Sequence, residues 1–476
     1  MERSNRSYTY FGQTVSTCPE CLKFVQAKLV HADGNVFFHK YCPEHGASRA
    51  LVSEDYDYYI NAQAYSKPGS IPLRFSSKIQ DGCPHDCGLC PAHEQHCCHP
   101  IIEITDVCNL ACPICMADNS SKGFIRSDIF SQIIDNLVAA EGTLENITLS
   151  GGEPTLHPEF WELITISDRP EITRVSLVTN GLTIAQDREF CRRLKKRNIY
   201  VVLQFDGFDD DIYQKLRGRP LLDVKKRALA HLDEFKIPTQ LLYVAARHIN
   251  EDHIGQVIRL ILENDHILSL AIQPLALIGR GGGSFVHDPL DRLTIPGIIR
   301  AVENQTGGVL RKEDFFPLPC PNPQCVSLTY LLKLDDGGFV PFPRFADMKK
   351  YLHLLSQSAT LGPSQETEDA LREITDDLWS TAGEIPDSQR IIHALRRAAL
   401  EMFPPGAANY RELVRASERQ AKSIFIHHYM DRFNFDLARS IKCCHHYPRA
   451  SGNIMPVCTF NLFHRSKENN TFDTKR

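Results

Sequence analysis

Ile101-Ile102-Glu103-Ile104-Thr105-Asp106-Val107-Cys108-Asn109-Leu110-Ala111-Cys112-Pro113-Ile114-Cys115 is the stretch that decides the fold. Its first five residues read as a strand. The rest reads as a loop with three cysteines at C-x3-C-x2-C spacing. Three thiolates on one loop can hold three irons of a cubane cluster. The fourth iron is then open. An open position on a metal is a substrate or cofactor site, by the logic of catalytic zinc. A fully ligated cluster would instead serve structure or electron transfer.

Moving outward, a helix is expected over about 126–140 and a strand over 146–149. Ser150-Gly151-Gly152-Glu153-Pro154-Thr155 follows directly. Glycines at a strand end let the backbone approach a ligand closely, and Glu153 can accept from an amine. Further strands are expected near 174–178, 200–205, 239–245 and 268–273. Helices are expected near 185–197, 222–235 and 253–263. Six alternations of this kind indicate parallel βα units. Active sites of such folds lie beyond the C-terminal strand ends. Asn180, Gln204, Asp206, His248 and Gln273 fall there. Each has a plainer reading: Asn180 as a turn residue, Asp206 as a helix cap, His248 as a loop histidine. Arg280, in a glycine-rich loop, either meets an anionic substrate or cofactor group or is solvated.

The order of strand, cysteine loop, helix, strand and GGEP turn resembles the radical S-adenosylmethionine (SAM) superfamily. The resemblance implies a [4Fe–4S] cluster on Cys108, Cys112 and Cys115, with SAM on the open iron. It implies that Gly151, Gly152, Glu153 and Pro154 form the turn beside the SAM amine, and that the Ile114 backbone lies by the adenine. Asn180, Gln204, Asp206 and Arg280 complete the expected cofactor set. The fold class implied is α/β, a partial (β/α)6 barrel over residues 100–285.

The other cysteines enlarge this picture. The chain has 476 residues and 17 cysteines. It is too long to need disulfide staples, and its first residues show no secretory pattern. Clustered cysteines in a reducing compartment read as metal ligands or catalytic groups. Cys18-Pro-Glu-Cys21 and Cys42-Pro-Glu-His45 have knuckle spacing for one tetrahedral ion, zinc before mononuclear iron. Cys83, Cys87 and Cys90 repeat the C-x3-C-x2-C spacing without a preceding strand, so they read as an auxiliary iron–sulfur site. Its fourth ligand would be Cys97, Cys98 or a remote cysteine. Cys320, Cys325, one of Cys443 and Cys444, and Cys458 are expected to form a second auxiliary cluster. A zinc site using His445 or His446 is the alternative there. Cys191 lies in a helical segment and reads as a small buried apolar residue. Helices are expected over 366–379, 388–402 and 412–441.

Four regions follow: a metal-knuckle module (1–60), an auxiliary iron–sulfur segment (61–99), the barrel (100–285) and a helical, cysteine-bearing extension (286–476). A net charge of −5 gives no general drive toward nucleic acid. No apolar run is long enough for a spanning helix. The expected state is a cytoplasmic monomer, with peripheral contact at the inner membrane face left open.

GCPHDCGLCPAHEQH at 82–96, SGGEPTLHPE at 150–159 and the C-terminal cysteines give a narrower resemblance, to tetraether lipid synthase and its relatives. Those relatives include hydroxymethyl-dihydropterin methyltransferase-like proteins. The family's four-cysteine N-terminal iron site differs here at His45, which favours zinc. The first expectation is radical C–C bond formation on isoprenoid or fatty acyl chains. The alternatives are radical C-methylation of a pterin or other small molecule, and peptide modification. Each needs a reducing partner such as a flavodoxin or ferredoxin.

Overall fold

The computed structural model describes residues 7–117, 123–279, 281, 285, 288–358, 362–381, 383, 385–406 and 409–466. Arg280 lies outside them. Four antiparallel strands come first, β1 (Thr9–Thr17), β2 (Phe24–Ala32), β3 (Asn35–Cys42) and β4 (Gly46–Ser53), paired in chain order. The turn between β2 and β3 is Asp33-Gly34, both at positive φ. Leu22 at φ +59° shapes the first knuckle, where the Cys18 carbonyl accepts from the Leu22 amide at 3.0 Å.

Six parallel strands form the next layer: β5 (His99–Thr105), β6 (Ile147–Gly151), β7 (Val175–Thr179), β8 (Tyr200–Gln204), β9 (Thr239–Ala245) and β10 (Ile267–Pro274). Helices return the chain between them, from Ser127–Glu141 to Ile254–Glu263. Strand β8 is buried at every position, as expected where helices cover one face and a barrel interior the other. Ile104, Leu149, Leu177, Leu203 and Leu241 pack with Phe130, Leu163 and Val257 in the main core. The (β/α)6 core is thus the one read from the sequence.

The C-terminal region differs from its expectation in one element. Residues 412–441 are not one helix. Tyr410–Gln420 is helical, then Ala421–His427 forms a strand, and a short helix follows at Leu437–Ile441. The strand residues alternate half-buried and buried, the period of two that marks a strand. The remaining strands are β11 (Phe316–Pro317), β12 (Val326–Lys333), β13 (Phe339–Pro341), β14 (Ala421–His427), β15 (His445–Pro448) and β16 (Ile454–Pro456).

Their placement shapes the barrel. Strand β14 pairs parallel to β10, with Leu270 opposite Ile424. Strand β15 pairs parallel to β5, with His445 opposite His99. The six core strands are therefore flanked on both sides, in the order β14-β10-β9-β8-β7-β6-β5-β15. The segment between β14 and β15 runs from one edge of the core to the other. It is held by a buried ion pair, Arg292 to Asp431 at 2.9 and 3.2 Å. Buried Lys40 of β3 joins it to the N-terminal module, donating to the carbonyls of Thr17 and Phe433 at 2.8 Å each.

Candidate active site and metal centres

Strand β5 delivers the cysteine loop, and the turn after β6 braces it. The Gly152 amide donates to the Thr105 carbonyl and the Glu153 amide to the Val107 carbonyl, both at 2.7 Å. Gly151 has φ +126°, and a Cβ there would lie 2.0 Å from the Thr105 oxygen. A Cβ on Gly152 would lie 2.2 Å from the Val107 oxygen. Only glycines allow the two backbones to meet this closely. Pro154 opens a short helical turn, Pro154–Leu156. The far end of the loop is held by the Gly281 amide, which donates to the Cys115 carbonyl at 2.8 Å.

Cys108, Cys112 and Cys115 are each half-buried on this loop. Burial pushes the Cys108 thiol up to about 11, and it also raises Cys115. A cluster at this site would reverse that by offering the thiolates a cationic partner. Among the described residues, the three are not part of any set gathered as tightly as single-ion ligands. A cubane stands between its thiolates and spreads them wider than one ion does, so the triad fits a cluster.

Glu153 is buried and fully engaged. One carboxylate oxygen accepts from the Thr155 and Thr179 hydroxyls at 2.7 Å each, the other from the Asn180 amide at 2.8 Å. Burial raises its pKa, against these donors. The side chain ties the turn to the end of β7. Asn180 extends the tie: its side-chain amide donates to Asn109 of the cysteine loop at 2.7 Å, while its carbonyl oxygen accepts from Lys225 at 2.6 Å. Its side-chain oxygen also accepts from the Leu182 amide at 3.0 Å, so the turn role and the loop contact coexist.

Asp206 is not a helix cap. It is buried against Arg217, which donates to both carboxylate oxygens at 2.8 and 2.9 Å. Burial works against its ionisation, but Arg217 more than offsets this and holds the carboxyl below the usual range. Gln204 donates to Asp206 and accepts from Lys225 at 3.4 Å. The Arg217 guanidinium also lies close enough to the Cys112 thiol for the two to interact. The cysteine loop and the ends of β7 and β8 are thus joined through Arg217, Lys225 and Asn180. Arg217 and Lys225 escaped the sequence reading because both sit in charged helical runs that look solvated. His248 is exposed, at φ +60°, and its ring lies 2.7 Å from Asp291, away from this network. Gln273 is half-buried on β10.

Twelve of the other fourteen cysteines fall into four groups. Cys18, Cys21, Cys42 and His45 have ligand atoms all within 4.8 Å of one another. His45 Nδ1 is 3.6 Å from both Cys18 and Cys42 Sγ, and a hydrogen bond from His45 lowers the Cys42 thiol. This set fits a single tetrahedral ion. Cys83, Cys87 and Cys90 line one cavity with His93, Leu437 and Ser440. Their loop is nested on Asp86, whose carboxylate accepts the amides of Gln80, Asp81 and Gly82 at 2.6–2.7 Å. Cys325, Cys443, Cys444 and Cys458 line a second cavity beside it, with His427 and His445. Cys444 also forms a tight set with Cys98 and Cys320.

Cys320 and Cys444, expected in one site, do meet, and Cys325 packs against the same buried cluster; Cys98, one of the candidates for the Cys83 group, gathers with them instead. Chain pairing is the reason: His99 donates its amide to the Cys444 carbonyl at 3.0 Å as β5 and β15 align, and this carries Cys98 to Cys444. Cys97 is buried in the main core. Cys191 is buried there as well, a small apolar residue as read.

Fold and site together define a barrel enzyme built around iron–sulfur chemistry. The description "Radical SAM superfamily" matches residues 102–261, and "HMPTM N-terminal zinc ribbon domain" matches residues 10–54. Residues 102–261 thus carry a radical SAM domain, and the protein is a radical SAM iron–sulfur enzyme. It is 29% identical to 7,8-dihydro-6-hydroxymethylpterin dimethyltransferase of Methanocaldococcus jannaschii, over 97% of this chain and 95% of that protein. It is 34% identical to GTP 3',8-cyclase of Klebsiella pneumoniae over 31% of this chain and 47% of that one. Among solved structures, Streptococcus suis SuiB bound to precursor peptide SuiA matches with a TM-score of 0.38 and 16% identity, covering 46% of this chain and 47% of that one. No helix among the described residues is long and apolar enough to cross a membrane.

Proposed function

We propose that this enzyme methylates carbon on a pterin-type small molecule by radical chemistry. The observation that carries the reading is the end-to-end likeness to the pterin dimethyltransferase, which spans the N-terminal module, the barrel and the extension alike. Joining of lipid chains, the first expectation, rests only on the motif resemblance to tetraether lipid synthase.

When bound, a [4Fe–4S] cluster carrying SAM supplies a 5′-deoxyadenosyl radical on one-electron reduction. Cys108, Cys112 and Cys115 would hold that cluster. The Gly151–Pro154 turn, Ile114, Asn180, Gln204 and Asp206 would line the SAM site. The Arg217–Asp206 pair fixes the cationic side chain beside Cys112, so the cysteine loop is oriented before any ligand arrives. Flanking strands β14 and β15, and the segment between them, wall the core at its edges and help exclude water. Electrons come from a low-potential donor of the flavodoxin or ferredoxin class.

The test uses the full-length enzyme, reconstituted anaerobically and supplied with SAM and reductant. With 7,8-dihydro-6-hydroxymethylpterin, and a second SAM serving as methyl donor, mass spectrometry should show products in which one or two hydrogens are replaced by methyl groups, with 5′-deoxyadenosine and S-adenosylhomocysteine both formed. Turnover of an isoprenoid lipid with the pterin left unchanged would overturn the substrate. Intact clusters with no 5′-deoxyadenosine under reduction would overturn the radical reading itself.

A further inference from the structure

The stretch from Lys67 to Gln80 enters no helix or strand, yet it carries a concentrated apolar surface. Ile71 is 69% exposed, Leu73 77%, Phe75 38% and Ile79 51%. Four of the twelve large apolar side chains exposed among the described residues thus fall between positions 71 and 79. Lys67, Arg74 and Lys78 are exposed among and beside them, and the stretch holds no carboxylate. An exposed apolar patch rimmed by charge marks an interaction surface.

The backbone beneath this patch is tied down. The Ser70 amide donates to Gln95 Oε1 at 3.1 Å. The Leu73 amide donates to the Ala140 carbonyl at 2.7 Å, at the end of the helix Ser127–Glu141. Ser76 joins the stretch to the loop of Cys83, Cys87 and Cys90. Its amide donates to the Leu89 carbonyl at 2.8 Å, and its hydroxyl accepts from the Leu89 amide at 3.1 Å. Leu89 stands between Cys87 and Cys90. A Cβ on the neighbouring Gly88 would lie 2.6 Å from Ser77 Oγ, so the two stretches touch. Ile79 then leads within four residues to Cys83, which is half-buried where Cys87 and Cys90 are buried. The patch is built onto the metal-binding loop, on the side of its least-buried cysteine in the chain.

We propose that residues 67–80 are the docking face for a small acidic redox protein, of the flavodoxin or ferredoxin class, that reduces this enzyme; the assignment rests on Cys83, Cys87 and Cys90 being an iron–sulfur site. Reduction moves one electron: the donor is oxidised by one and the enzyme's iron–sulfur centres are reduced by one, with no group transferred. Contact with the cysteine loop selects this occupant, since neither a lipid surface nor a second copy gains from standing against a redox site. The three cations complement an acidic partner and would steer its approach. The small extent of the patch also suits a transient redox encounter, which buries less surface than a permanent interface.

The experiment uses the full-length enzyme, reconstituted anaerobically, with an acidic flavodoxin as the probe. Leu73→Ser/Ile79→Ser and Arg74→Glu/Lys78→Glu alter only exposed side chains, and iron and sulfide contents equal to the parent's would show the centres intact. Flavodoxin affinity, measured by calorimetry at low salt, should fall about tenfold in each. In the charge-reversed pair its dependence on salt should flatten. Formation of 5′-deoxyadenosine driven by reduced flavodoxin should fall in step, while formation driven by dithionite, which needs no docking face, should match the parent. Unchanged flavodoxin affinity overturns the proposal, as does an equal loss with dithionite. Lost binding to phosphatidylglycerol vesicles, or a lost dimer in sedimentation, with flavodoxin affinity unchanged would give the patch to a membrane or to a second copy instead. Cys83→Ser/Cys87→Ser retaining all its iron removes the redox site from the loop and the proposal with it. If the parent forms no 5′-deoxyadenosine even with dithionite, the radical reading fails, and the affinities alone decide the docking face.

Discussion

Lys225 shows how much a single side chain depends on its surroundings. It lies on the helix Leu222–Glu234 and is fully buried. Burial lowers its pKa to about 7, although Asp206 pulls the other way. The unfolded chain holds this proton up to about pH 10. Between about pH 7 and 10 the unfolded state therefore binds more protons, and stability rises with pH across that window. Below it, the cost of burying the charge is present in full. In Lys225→Met this dependence should vanish. Denaturant unfolding of the two proteins should diverge by about 2–4 kcal/mol in favour of the parent's gain from pH 7 to 10; parallel curves would refute it. None of this was visible in the run Lys225-Lys226-Arg227, which reads as a solvated face. Glu153 is the opposite case: its motif was legible, but its partners Thr179 and Asn180 were not, because they meet it only when β7 aligns beside β6.

Elements were legible where their period was strong. The helix Ser388–Met402 lies where its pattern puts it, and strands β5 to β10 follow the expected order. Strand β14 was missed because it follows the helix Tyr410–Gln420 without a break, and helix formers upstream masked the alternation in Ser423-Ile424-Phe425-Ile426. The GGEP turn is the element on which the site depends most. Gly152→Ala forces a methyl group toward the Val107 carbonyl, so the turn and the cysteine loop must separate. The variant should lose about 1–3 kcal/mol of stability and most of its capacity to rebuild the cluster on Cys108, Cys112 and Cys115. Iron and sulfide titration against the 400-nm-region absorbance would show this; normal loading would refute it.

At the scale of the molecule, the C-terminal region is bound into the barrel by charge as well as by strands. Buried Glu103 of β5 accepts from Arg465 at 2.7 Å and from Arg449 at 3.3 Å. Burial raises its pKa, but the two guanidinium groups outweigh that and hold it below the usual range. Glu103→Gln leaves buried cations without their shared carboxylate, at a cost of about 3–5 kcal/mol. The expected result is earlier proteolytic release of the segment after Pro448, with the N-terminal module still folded. Equal protease resistance would show that strand pairing alone holds the segment.

The cysteine loop, the GGEP turn, the βα alternation and the N-terminal knuckles are local patterns, so residues a few positions apart carry them and the chain order alone reveals them. The sorting of Cys98, Cys320, Cys325, Cys443, Cys444 and Cys458 is not local. Cys98 meets Cys320 and Cys444, hundreds of residues away, only through the register of β15 on β5. The flanking of the six-strand core by β14 and β15 has the same origin. Backbone hydrogen bonds at the two edges of the core need partners, and the tertiary fold supplies them from the far end of the chain.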